Sequence, residues 1–135
     1  MPSRERAELL LRKAAQDEFA LAKLVSDPES PDELIGFHAQ QAVEKMLKAV
    51  LAVKGVCYRP IHDLTELMEL LRDNAISFPA GLEDSRRLTP FATTFRYDDF
   101  LLQEGEAFDR AWAIECVSKV RAWAESIIKP REERQ

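Results

Sequence analysis

The chain has 135 residues, 46% of them hydrophobic and 32% charged, with a formal net charge of −5. That length suits one domain with a core of its own, the balance excludes a disordered chain, and the acidic surplus excludes general affinity for nucleic-acid backbones while leaving a local basic face open. Glycine is scarce, at 4 residues, and Leu, Ala, Glu, Lys and Arg dominate, which favours helices over a turn-rich β fold. The expected fold is therefore all-α: one domain over residues 1–135, an antiparallel up-and-down bundle of four long helices plus one short one.

The first helix is expected from about Ser3 to Val25. Leu10, Ala14, Leu21, Leu24 and Val25 recur by threes and fours along one face, and Asp27-Pro28 closes it. Its start reads as a charged amphipathic helix rather than a leader, and no apolar run reaches membrane-spanning length, so a cytoplasmic protein is expected.

Ser30-Pro31-Asp32-Glu33 predicts the start of the second helix, with Ser30 as N-cap, Pro31 in the first helical position and Glu33 closing a capping box. It should end near Lys54 at Gly55. From Ile35 to Val53 the apolar residues fill a wide arc, as in a helix packed by several neighbours. The remaining arc carries His38, Gln41, Glu44, Lys45 and Lys48, with Leu34 and Phe37 among them. An apolar residue in a polar arc is a subunit contact or a groove wall, so Leu34 and Phe37 are the interface candidates.

After a connector, Asp63-Leu64-Thr65-Glu66 predicts a capped third helix with Leu64, Leu67, Met68 and Leu71 on one stripe, fading near Asn74. Leu82 to Leu88 reads as a short helix. Thr89-Pro90 reads as a fresh N-cap that breaks it, and Asp98 to Gly105 as loop. The last helix is expected from about Glu104 to Lys129, with Phe108, Trp112, Cys116, Val120, Trp123 and Ile127 in its core stripe. Residues 131–135 read as a frayed polar tail.

Three segments stand out as strings. The second helix reads FHAQQAVEKMLKAVLAVKG from Phe37 to Gly55, HDLTELMELL follows from His62 to Leu71, and FRYDD surrounds Arg96. In this order they resemble the HEPN family of helical bundles, over most of the chain. The resemblance implies a five-helix, mainly up-and-down fold and a homodimer. It also implies a nucleotidyltransferase partner, as in toxin–antitoxin-like pairs, or a nucleotide ligand; other members are ribonuclease toxins. Those ribonucleases use an Arg followed four to six residues later by His. Here Arg59 precedes His62 by three, no His follows Arg86, Arg87 or Arg96, and Asp98 stands where the family commonly has Pro. The imidazole that would serve acid–base chemistry is missing from that place, which weighs against enzymatic activity of that kind. A divergent ribonuclease would have to use His38 or His62.

His38, Gln41, Lys45 and Lys48 align as one helical stripe that offers donors to phosphates or base edges, with Phe37 available for stacking. The plainer reading is a solvated face with a Glu44–Lys48 pair worth a few tenths of a kcal/mol. His62 and Asp63 sit at a helix start, where Asp63 suits capping and the free N–H groups suit an anion. Arg96 and Tyr97 are further ligand candidates; Asp98 and Asp99 read more simply as a surface salt bridge than as a cation site. No cofactor or metal is expected. There is no glycine loop to cradle phosphate, and Cys57, Cys116, His38 and His62 lack ligand spacing.

Overall fold

The computed structural model describes residues 2–92 and 108–128. Those residues form an all-α bundle: α1 (Arg4–Val25), α2 (Asp32–Val53), α3 (Leu64–Asp73), a 3-10 helix (Ala80–Phe91) and α4 (Arg110–Ile128). The expected tail and the FRYDD segment, with Arg96 and Tyr97, lie outside the described residues.

Ser3 caps α1 from an extended backbone, its hydroxyl accepting the Arg6 N–H. The helix buries Ala7, Ala14, Asp17 and Leu21, a single stripe in which two alanines let α2 approach closely. The pair is antiparallel, since Ser3 N–H donates to the Ala52 carbonyl at 2.9 Å, at the far end of α2. Gly55 ends α2 with φ +74, the left-handed turn that favours glycine.

The start of α2 differs by a residue from its sequence signal. Pro31, not Ser30, is the N-cap, and no side chain caps the helix. The cause is tertiary: Arg110, at the head of α4, donates to the carbonyls of Asp27, Pro28 and Ser30 and to the Asp32 carboxylate, which fixes the turn from outside. The same contact places the start of α4 beside the start of α2, so α4 runs antiparallel to α1. At the other end, Arg4 donates to the Ile128 carbonyl at 2.6 Å.

The Asp63 carboxylate accepts the Thr65 N–H at the head of α3, as a cap should. Glu66 does not close a capping box; it is held by Arg59 at 2.9 and 3.0 Å. Thr89 also differs from expectation. It starts no new helix, because the 3-10 helix runs on through Pro90 to Phe91, and its hydroxyl instead accepts the Leu64 N–H at 3.1 Å. It therefore serves as a second cap for α3. Phe108 and Asp109 precede α4 rather than lying in it: the Asp109 carboxylate accepts the Trp112 N–H, and Phe108 meets Phe91 edge-on at 5.3 Å.

The core is centred on α2, with Ile35, Val43, Met46, Leu47, Val50 and Leu51 fully buried against Leu64, Leu67 and Leu71 of α3, Leu88, and Val120 of α4. Both tryptophans stand at this core as their spacing implies. Trp123 is buried, edge-on to Phe78 and donating to the Ser77 carbonyl; Trp112 is half-buried and donates to Asp84. Cys116 is buried and Cys57 exposed, both as free thiols.

Candidate functional site

Because α1, α3, the 3-10 helix and α4 all pack on α2, little of it reaches solvent. Between Leu34 and Lys48 every residue is buried except Leu34, Phe37, His38, Gln41, Lys45 and Lys48. These six positions recur by threes and fours, so they form one continuous strip. The strip unites the two interface candidates with four of the ligand candidates, and His62 joins it from the connector.

Beneath the strip lie three buried polar side chains that organise it. Asp17, from the otherwise apolar face of α1, is 8% exposed. One of its carboxylate oxygens meets His38 Nδ1 at 3.0 Å and the other accepts from Lys45 Nζ at 2.5 Å. Glu44 is 4% exposed. It accepts from Lys48 Nζ at 2.7 Å, meets His62 Nδ1 at 3.0 Å and accepts from Gln40 Nε2 at 2.9 Å. Gln40, fully buried, also donates to the His62 carbonyl at 3.1 Å and accepts from Gln41 Nε2 at 2.8 Å. Among the described residues, no buried side-chain polar atom lacks a hydrogen-bond partner.

The chemistry of these contacts fixes how each imidazole is presented. An ionised carboxylate only accepts, so Nδ1 of each ring must carry the proton shared with it. Nε2 is then left as the outward-facing nitrogen. It is the arrangement in which a carboxylate sets the tautomer and orientation of a histidine. His62 has half of its side chain exposed, His38 about a quarter. Phe37 stands edge-on to His38 at 5.2 Å and supplies an apolar wall.

At the Lys48 end, the ammonium lies over the Tyr58 ring at 5.7 Å, and Arg6 reaches the Tyr58 hydroxyl at 3.3 Å. Arg59, three residues before His62, is turned away into its pair with Glu66. The Arg59 hydrogen bond holds the Glu66 carboxyl below its ordinary range, and Glu66 in turn raises Arg59. Among the described residues, no group of three or more His, Cys, Asp or Glu is placed to hold a metal ion.

Sequence reasoning placed the strip and missed its foundations. Asp17 and Gln40 were not singled out, and the Glu44–Lys48 pair reads from sequence as a solvated contact, whereas Glu44 is buried and binds three partners. The signals were nonetheless present. Asp17 falls in register with Ala14 and Leu21 on the buried stripe of α1, and Gln40 belongs to the unusual Phe-His-x-Gln-Gln string.

The model of the HEPN domain matches residues 7–127, nearly the whole chain. The chain belongs to the HEPN family. Its strip therefore lies on the helix that carries the Phe-His-x-Gln-Gln string of this HEPN domain, and the buried hydrogen bonds account for most of that string's polar residues. No curated protein and no solved structure gave a match to the chain. No helix among the described residues is long and apolar enough to cross a membrane.

Proposed function

We propose that this HEPN domain is a non-catalytic interaction module that binds a nucleotide along the strip from Phe37 to Lys48, with His62 at its edge. One observation carries the reading. Two imidazoles, each held through Nδ1 by a buried carboxylate, present Nε2 on the same strip as two lysines and an aromatic ring. The two ammonium groups are fixed donors that suit phosphate oxygens, and Phe37 suits a base. Arg96 and Tyr97 are retained as further ligand contacts. We propose further that it forms a homodimer, as HEPN domains often do, with the half-buried apolar side chains Leu34 and Phe37 at the contact, and that it works beside a nucleotidyltransferase in a toxin–antitoxin-like pair.

Calorimetric titration with ATP tests the ligand reading. Saturable heat that is lost in Lys45→Ala and Lys48→Ala proteins is expected; no heat and no thermal shift at millimolar ATP would remove it. Recovery of a nucleotidyltransferase with the tagged protein from its own host tests the partner reading, and a bait that emerges alone defeats it. Retention of the dimer by a Phe37→Glu protein in light scattering would eliminate the proposed contact.

The carboxylate–imidazole pairs also favour a second reading, a divergent ribonuclease in which His38 and His62 exchange protons with substrate. RNA cleavage by purified protein that disappears in His38→Ala or His62→Ala would establish it, and no cleavage under broad conditions would end it.

A further inference from the structure

The charges on the strip cancel. The charged groups in contact with the imidazoles or with their carboxylates are Asp17 from α1 and Glu44, Lys45 and Lys48 from α2; Lys13 stands one turn before Asp17 on α1, exposed, and Asp63 adjoins His62 on the connector. The Asp63 carboxylate is engaged with the Thr65 N–H. Lys45 is neutralised by Asp17 and Lys48 by Glu44, both within hydrogen-bond distance. Arg6 is engaged with the Tyr58 hydroxyl. With neutral imidazoles, then, the strip has cations in its sequence but little net positive charge to offer an anion.

Of these side chains, the two imidazoles are the type that can accept a proton and so add a positive charge. Each already has its Nδ1–H on a buried carboxylate, so a proton arriving at Nε2 makes an imidazolium whose positive charge faces an anion on the inner side. A phosphate on the outer side would then accept from Nε2–H at short range in a partly desolvated setting. We propose that the strip binds phosphate-bearing ligands together with protons taken up at His38 and His62, so that Asp17 and Glu44 act as positioning residues that make binding acid-dependent. This deepens the nucleotide reading and rests on it.

ATP is a discriminating probe because its terminal phosphate loses charge as it is protonated near pH 6. The ligand alone would bind more weakly as pH falls. The expected result is the reverse: affinity roughly tenfold higher at about pH 6 than at about pH 8, the direction required when the complex holds more protons than its free components. Titrations in two buffers of different ionisation enthalpy should show net proton uptake by the wild-type protein. A His38→Gln/His62→Gln protein should show no gain in affinity between about pH 8 and about pH 6 and no net proton uptake on binding. Glu44→Gln, which removes an anion while keeping the side chain's shape, should bind ATP more tightly than wild type near pH 8 and respond less to pH.

Binding that weakens toward pH 6 without proton uptake would overturn the coupling and leave the nucleotide reading in place. Equal loss of affinity at both pH values in the double variant would do the same, by showing that the rings act as neutral contacts. No binding of ATP at either pH would remove both.

Discussion

At the scale of the residue, Glu44 separates two accounts of the same pair. A solvated Glu44–Lys48 contact would contribute a few tenths of a kcal/mol. In the fold, Glu44 is almost inaccessible and serves Lys48, His62 and Gln40 together. Its removal leaves three buried or half-buried donors without their acceptor. Glu44→Ala should therefore destabilise the protein by about 3 kcal/mol, as for a broken buried pair. Denaturant unfolding checks this, and a change near 0.3 kcal/mol would support the solvated account. Asp17 has the same logic across helices, linking α1 to His38 and Lys45. Its partners were not legible in sequence because they are 21 and 28 residues away, and periodicity reports which side chains share a face, not what meets that face.

At the scale of the element, close approach explains one unfavourable helix residue and leaves another to be improved. Gly36 lies inside α2, where glycine is about 1 kcal/mol worse than alanine. A methyl group there would stand 2.5 Å from the Phe91 ring, so the glycine is what lets the Ala80–Phe91 helix seat on α2. Gly36→Ala should destabilise by about 1–3 kcal/mol despite its better propensity, and Phe91→Leu in the same chain should recover part of the loss. Thermal unfolding of the single and double variants decides this.

Ala75 is the opposite case. It holds φ 58 after α3, with Ile76 N–H returning to the Leu71 carbonyl in the pattern that ends many helices. An L-residue is disfavoured by about 1–2 kcal/mol in that region, so Ala75→Gly should stabilise by roughly 1 kcal/mol. An unchanged or lowered unfolding midpoint would count against that geometry. Element boundaries were legible where the signal was local, as at Gly55 and Asp63. They were not at Ser30 and Thr89, because Arg110 and the head of α3 redirect those groups.

At the scale of the whole molecule, α4 closes the bundle through ionic and hydrogen-bonded contacts as well as apolar packing. Burial acts to lower the Arg121 pKa, yet Glu18 and Glu125 hold it above its usual range, and the same guanidinium donates to the Leu11 carbonyl. Cys116, on the same helix, shows burial that the nearby Lys119 and Arg87 offset only in part. Burial, aided by the charges of Asp84 and Glu115, pushes its thiol from the ordinary 9.0 up to about 11. In the unfolded chain the thiol ionises first, so this group's contribution to stability is complete below about pH 9 and is lost as pH rises through about 11. Wild type should lose stability more steeply than Cys116→Ser between those values in denaturant unfolding. Parallel curves would show that the thiolate is tolerated in place.

The sequence by itself determined the all-α class, the order of the helices, most of their ends and the strip on α2. These follow from local quantities: propensity, capping and a period of 3.6 residues that assigns side chains to faces. The tertiary structure alone decided that the strip stands on Asp17, Gln40 and Glu44, that His62 joins it, and that its lysines arrive already neutralised. The physical reason is that electrostatic partnership depends on distance through space and on loss of water. Both are set by how α1 and the connector pack on α2, long after the pattern along any one helix has been read.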